Sequence, residues 1–311
     1  MPGKNKFGGL WPVMLTPFKT DKSIDLTALD RLTDFYLESG ATGLFTNCLS
    51  SEMFELTDEE RLTIIRSVVK QVNGRVPVAA TGSFGGLLKK QAEFIKKVSD
   101  SGVSVVVLVS SFFAGEDEDD KILEENLFRV TELTGSVSLG LYECPLPYKR
   151  LLPPDLVKKL ADTRRYLYLK DTTCQTRLVN EKVDAVSGSS LSVFNANTPT
   201  GLDTLRIGAD GLSPISANFY PELYSRLFES FRNGNNQEAL AYLNDQLILM
   251  DGITRIKYPM SAKIFLGKRG LKIEPVVRIP GNRLTYEEGI IMSKLFVNYK
   301  KVLLESSIRQ S

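Results

Sequence analysis

Short apolar runs that break abruptly into polar residues alternate along this chain with longer segments whose apolar side chains recur every three or four positions. The short runs cover residues 9–16, 43–47, 76–81, 103–109, 137–142, 166–170, 191–196 and 211–215. Their length and sharp polar ends predict buried strands. The run 103–109 is almost continuously β-branched, as a strand covered on both faces should be. The helical segments between them carry start signals. Asp25 offers an N-cap to a helix over 26–38, and Thr57-Asp58-Glu59-Glu60 is a capping box for a helix reaching residue 72. Further helices are predicted over 87–99, 121–133, 154–161, 176–186 and 201–207. The acidic stretch 116–120 suits the positive end of a helix better than a metal site.

Strand and helix therefore alternate eight times within about 215 residues, which implies parallel strands joined by right-handed crossovers. Eight units close a (β/α)8 TIM barrel. The alternative, an open doubly wound sheet, lacks a G-x-G-x-x-G after the first strand. Helices dominate the remainder, over 221–233, 237–252, 259–270 and 285–305. Residues 1–220 are thus expected to form the barrel, and 221–311 its last helix and a C-terminal helical extension.

In such a barrel the chemistry sits at the carboxyl ends of the strands. Two of these ends stand out: Gly140-Leu141-Tyr142-Glu143-Cys144-Pro145 and Tyr166-Leu167-Tyr168-Leu169-Lys170-Asp171-Thr172-Thr173. A lysine closing an apolar strand loses solvation, which favours the free, nucleophilic amine. If the two strands are parallel neighbours, Tyr142 faces Lys170, a phenol able to move protons beside a carbonyl-trapping amine. The plainer alternative is a snorkelling lysine beside a half-buried core tyrosine. The other strand ends supply hydroxyls and amides, among them Ser50, Ser51, Thr172 and Ser213. Ser50 and Ser51 could present hydroxyl and N–H groups to a small anion such as a carboxylate.

Composition narrows the chemistry. The 311 residues contain no histidine, which excludes Ser-His-Asp and Cys-His catalysis and histidine-ligated zinc. Net charge is +2 with no basic stripe, so nucleic acid is not an expected partner. No apolar run is long enough to span a bilayer, and residues 1–7 hold no signal-peptide core. Cys48, Cys144 and Cys174 lack metal-ligand spacing and read as free thiols of a cytoplasmic protein, with no metal or cofactor implied.

The chain resembles the dihydrodipicolinate synthase and N-acetylneuraminate lyase family of class I aldolases from Gly9 to about Leu304. The resemblance rests on residues 9–17, on Leu56-Thr57-Asp58-Glu59-Glu60-Arg61, and most on Tyr142-x-x-Pro145 followed by Lys170-Asp171-Thr172-Thr173. Gly208-Ala209-Asp210-Gly211, Ser216-Ala217-Asn218 and Pro259-Met260-Ser261-Ala262-Lys263 add to it. It implies that Lys170 forms an imine with a 2-oxo acid, usually pyruvate, that Tyr142 relays protons, that Ser50 grips the carboxylate and that Thr172 lines the pocket. The protonated imine serves as an electron sink, so aldol cleavage, condensation and dehydration are all accessible. No cofactor beyond this covalent imine is implied.

The departures from the family pattern are specific. Leu49 stands at the first hydroxyl position after the second strand, and Glu143 where asparagine is common. Pro147 stands where the synthases hold the aldehyde's carboxylate with arginine, and Phe113 where a neighbour's tyrosine completes their relay. They point to a lyase acting on a 2-oxo acid, derived from pyruvate or a sugar acid. Condensation of pyruvate with an aldehyde is the alternative within the family, and a non-catalytic oxo-acid-binding regulator the alternative outside it. The family's mode of pairing further implies a homodimer or homotetramer, with Phe113 of the segment Ser110-Ser111-Phe112-Phe113-Ala114 against the partner chain.

Overall fold

The computed structural model describes residues 7–234 and 236–310. Its strands are β1 (Gly9–Leu10), β2 (Leu44–Thr46), β3 (Val78–Thr81), β4 (Val105–Val109), β5 (Leu139–Tyr142), β6 (Tyr166–Asp171), β7 (Ser192–Asn195) and β8 (Gly211–Leu212). All pair in parallel, in the order β1-β8-β7-β6-β5-β4-β3-β2. The first run is a regular strand for only two residues, then winds across to β2. A Val13–Phe45 bridge closes the ring, with Met14 N donating to the Phe45 carbonyl at 2.8 Å. The helices between the strands are α1 (Leu26–Glu38), α2 (Asp58–Val72), α3 (Leu88–Asp100), α4 (Asp120–Leu133), α5 (Pro154–Asp162), α6 (Thr176–Ala185) and α7 (Gly201–Arg206). The Asp25 cap and the Thr57–Glu60 capping box form as the sequence predicts.

An aromatic layer fills the barrel. Trp11 stacks on Tyr168 at 5.1 Å, Tyr168 meets Phe194 at 4.9 Å, and Phe45 stands edge-on to Tyr142 and Tyr168. Offset and edge-on pairs are the favoured geometries for such rings. The layer fits because glycine faces it: a Cβ on Gly43 would lie 2.1 Å from Trp11 Cε2, and one on Gly211 2.3 Å from Phe194 Cε1. Ala79, Val105, Val107 and Val109 fill the opposite wall, so the floor beneath the strand ends is aromatic and aliphatic.

Four helices follow: α8 (Pro221–Asn233), α9 (Gln237–Thr254), α10 (Met260–Lys268) and α11 (Tyr286–Gln310). The last is longer than the sequence suggested. Met292, Leu295, Tyr299, Val302 and Ser306 recur every three or four residues on its inner face, and packing carries the helix on. No described helix is long and apolar enough to cross a membrane.

The placement of Phe113 differs from expectation. Its side chain is 1% exposed in the single chain, where it joins the apolar layer under the helices with Leu123, Leu127 and Leu152. Asn126 Nδ2 holds its carbonyl at 2.8 Å. The segment after β4 makes a turn of 3-10 helix over Ser110–Phe112, which rotates Phe113 inward and leaves it nothing to offer a partner. Phe112 stays half-buried at the rim, edge-on to Phe54 at 6.2 Å.

Candidate active site

Tyr142 and Lys170 are paired residues at the ends of β5 and β6. Side-chain alternation sends both into the barrel. The Lys170 ammonium nitrogen lies 4.9 Å from the Tyr142 ring centre and 5.8 Å from that of Phe45. Lys170 is 3% exposed and Tyr142 4%. Burial over the aromatic floor penalises the ammonium, and the Lys170 pKa falls from 10.5 to about 8, the thiols of Cys48 and Cys144 opposing the fall only in part. The same burial raises the Tyr142 phenol well above its usual value. The Cys144 thiol is pushed up to about 11, again by burial first. At neutral pH the pocket therefore holds an amine with an accessible free base, a neutral phenol and a neutral Cys144 thiol.

A low pKa does not by itself mark the nucleophile. Lys263 is also lowered to about 8, by burial, but its Nζ is sealed between Glu52 Oε1 at 2.8 Å and the Val276 carbonyl at 2.6 Å. Lys170 differs in facing the open ends of the strands with no carboxylate against it.

The four hydroxyl residues expected at the substrate behave differently from one another. Ser51 Oγ donates to the Met14 carbonyl at 2.6 Å, Thr172 Oγ1 to the Glu143 carbonyl at 2.6 Å, and Ser213 Oγ to the Trp11 carbonyl at 2.7 Å. Each holds one strand-end loop to the next, and its proton is committed to its own chain. Ser50, 4% exposed, instead neighbours the Tyr258 hydroxyl. Tyr258 accepts from Asn218 Nδ2 at 2.6 Å, and Asn218 Oδ1 accepts from the Tyr36 hydroxyl. A file of hydroxyls and one amide thus leads from α1 through the C-terminal extension to Ser50. Sequence reading passed over Tyr36 and Tyr258. Asn218 stood in a quoted motif, but nothing local tied it to the site.

Two buried ion clusters hold the site's loops. Glu52, in the left-handed conformation at φ 57°, accepts from Lys263 Nζ and from the backbone N–H groups of Arg278 at 2.6 Å and Ile279 at 3.2 Å. The loop that carries Ser50 is thereby clamped to the extension. Lys182 on α6 bridges Glu143 and Asp171 behind β5 and β6. Where the expected arginine is missing, the nearby cations are occupied. Lys149 Nζ donates to the Thr172 carbonyl, and Arg150 to the Gly115 and Glu118 carbonyls and to Asp120. Among the described residues no cluster of Cys, Asp and Glu is arranged to hold a metal ion.

The chain is 28% identical over 282 residues to 4-hydroxy-tetrahydrodipicolinate synthase of Oceanobacillus iheyensis, covering 91% of this chain and 94% of that one. It is 29% identical over 248 residues to YagE of Escherichia coli K12, provisionally named a 2-dehydro-3-deoxy-D-gluconate aldolase, covering 78% and 80%. The structure of YagE with pyruvate superposes with a TM-score of 0.86 at 23% identity, over 94% of this chain and 99% of that one. A dihydrodipicolinate synthase variant described as monomeric gives 0.87 at 19% identity, over 96% and 99%. The model of the dihydrodipicolinate synthetase family matches residues 6–295. The chain belongs to that family, whose members are lyases and synthases of the class I aldolase type.

Proposed function

We propose that this protein is a Schiff-base aldolase or lyase acting on a 2-oxo acid, with Lys170 as the nucleophile and Tyr142 as the proton relay. One observation carries the reading: the register that sets Tyr142 beside a buried, deprotonatable Lys170 over an aromatic floor. The Lys170 lone pair adds to the C2 carbonyl, and proton transfer gives a carbinolamine. Protonation of its hydroxyl and loss of water leave the iminium. Its positive nitrogen accepts the electron pair when the bond from C3 to a proton breaks, or when the C3–C4 bond breaks as the C4 hydroxyl gives up its proton and C4 leaves as an aldehyde; either way an enamine results. Protonation at C3 and hydrolysis return the free amine and the oxo acid. A neutral phenol at Tyr142 can give a proton to the departing water and recover one from solvent. The Ser50 hydroxyl and the N–H groups of its loop are the proposed carboxylate anchor. Ser51, Thr172 and Ser213 shape the loops around it.

The second half of the substrate is proposed to be neutral and hydroxylated, as in a sugar-acid-derived 2-oxo acid, because Pro147 replaces the arginine and Lys149 and Arg150 are tied elsewhere. No cofactor is needed for these steps. A cytoplasmic location fits the free thiols, and assembly as a dimer or a pair of dimers fits the family. Phe112 rather than Phe113 is then the aromatic that the segment after β4 presents.

The test is borohydride trapping with a panel of 2-oxo acids. An adduct is expected on the Lys170 peptide and not in Lys170→Ala. An adduct on another lysine, or none with any oxo acid, overturns the mechanism. An adduct without turnover of any panel member would favour a regulator.

A further inference from the structure

The residues that follow Tyr142 and Lys170 point the other way, out of the barrel toward α6. There Glu143 and Asp171 share one ammonium. Lys182 Nζ donates to Glu143 Oε1 at 2.5 Å and to Asp171 Oδ2 at 2.6 Å, with all three side chains at most 3% exposed. The remaining carboxylate oxygens are engaged too. Glu143 accepts from Leu152 N at 2.8 Å and Thr172 N at 3.1 Å, and Asp171 Oδ1 from Thr173 N and Oγ1 at 2.8 and 2.7 Å. Burial alone would lower the Lys182 pKa, but the two carboxylates outweigh it and hold it above its usual value. Such a cluster is a poor source of stability, since apolar residues of similar volume do as well or better. Its use lies in specifying geometry.

The geometry at stake is the pairing of β5 with β6. The ladder between them shifts register between Leu139 and Gly140, β6 carrying an extra residue there. Backbone pairing from below therefore passes through a bulge before it reaches Tyr142 and Lys170. Above them the last backbone-to-backbone bond, Glu143 N to the Lys170 carbonyl, is long at 3.3 Å, and what ties the strands beyond it runs through the side chains of Glu143, Thr172 and Asp171.

We infer that Lys182 is a positioning residue, tying the residue after Tyr142 to the residue after Lys170 and so fixing phenol against amine beyond the bulge. The inference rests on the imine chemistry proposed above. Two double variants separate it from a role in folding, since each removes the lysine and leaves a single carboxylate. In Lys182→Met/Asp171→Asn the new amide nitrogen, at the Oδ2 position, can donate directly to Glu143 and keep the strands tied, while its oxygen still accepts from Thr173. In Lys182→Met/Asp171→Ala the tie through position 171 is lost, and only the bonds from Thr172 N and Oγ1 to Glu143 still join the two strand ends.

Both proteins, checked for native near-UV circular dichroism, are assayed by the rate of borohydride trapping of pyruvate on Lys170 and by kcat and KM on the substrate found. The first variant is expected within about 3-fold of wild type. The second should be at least about 10-fold slower, with the loss in kcat rather than KM, as misplacement of reacting groups by a fraction of an ångström requires. Equal rates in two folded variants overturn the inference, as does a slow first variant. Reductive methylation of Lys170 with formaldehyde and borohydride also passes through an imine but needs no substrate recognition. The same ordering is expected there even if wild type traps no oxo acid, so the two readings fail separately.

Discussion

Replacing Lys170 by methionine should make the protein more stable while abolishing imine formation. In the folded chain Lys170 titrates near 8 rather than 10.5, because burial disfavours its charge. Between these pH values the unfolded chain holds one proton more than the folded one, so stability rises with pH across that window. Below about 8 the full penalty applies, and above 10.5 none remains. At 1.36 kcal/mol for each pH unit, the depression corresponds to about 3 kcal/mol at pH 7. Methionine has nearly the same length, carries no charge and suits a site 3% exposed among Phe45, Tyr142 and two thiols. The expected gain is therefore ~3 kcal/mol at pH 7, or ~5 °C in melting temperature for a chain of this size. It should shrink to nearly nothing by pH 10.5. Urea or thermal unfolding of both proteins at pH 7, 9 and 10.5 measures it. A Lys170→Met protein no more stable than wild type at pH 7, or a gain that does not decline with pH, would refute the claim that the amine is held at an electrostatic cost.

Tyr142→Phe keeps the ring that packs on Phe45, so folding should survive while turnover falls roughly 10²- to 10⁴-fold; steady-state kinetics on the true substrate checks this, and a change of only a few-fold would remove Tyr142 from the relay. Phe113→Ala should cost about 3–5 kcal/mol by leaving a cavity under α4, measured by urea unfolding. An effect on sedimentation alone, without loss of stability, would return Phe113 to an interface. Lys263→Met strands the buried Glu52 carboxylate and should cost about 3–5 kcal/mol. Denaturation with and without the compensating Glu52→Gln would show the loss partly recovered.

The alternation of apolar runs and amphipathic segments was enough to count eight strands, place their helices within a residue or two, and set Tyr142 and Lys170 at two strand ends. Those features are local: period, caps and polar breaks are written in neighbouring residues. The pairing of lysine with tyrosine was legible because neighbouring parallel strands bring their last residues side by side. What tertiary structure decided depends on residues far apart in the chain. Glu52 meets Lys263 across 211 positions, Asn218 meets Val13 across 205, and Lys182 reaches back 39 to Glu143. Phe113 shows the same limit. Whether an aromatic in a loop faces a partner or its own core turns on the rotation of one 3-10 turn, which composition does not encode. The hydroxyls of Ser51, Thr172 and Ser213 are committed to carbonyls on other loops, a matter of which strand ends the closed ring brings together. Pattern sets which segments must be buried, because water acts on each residue in turn; their partners are settled only when the barrel closes and buried polar groups must satisfy one another.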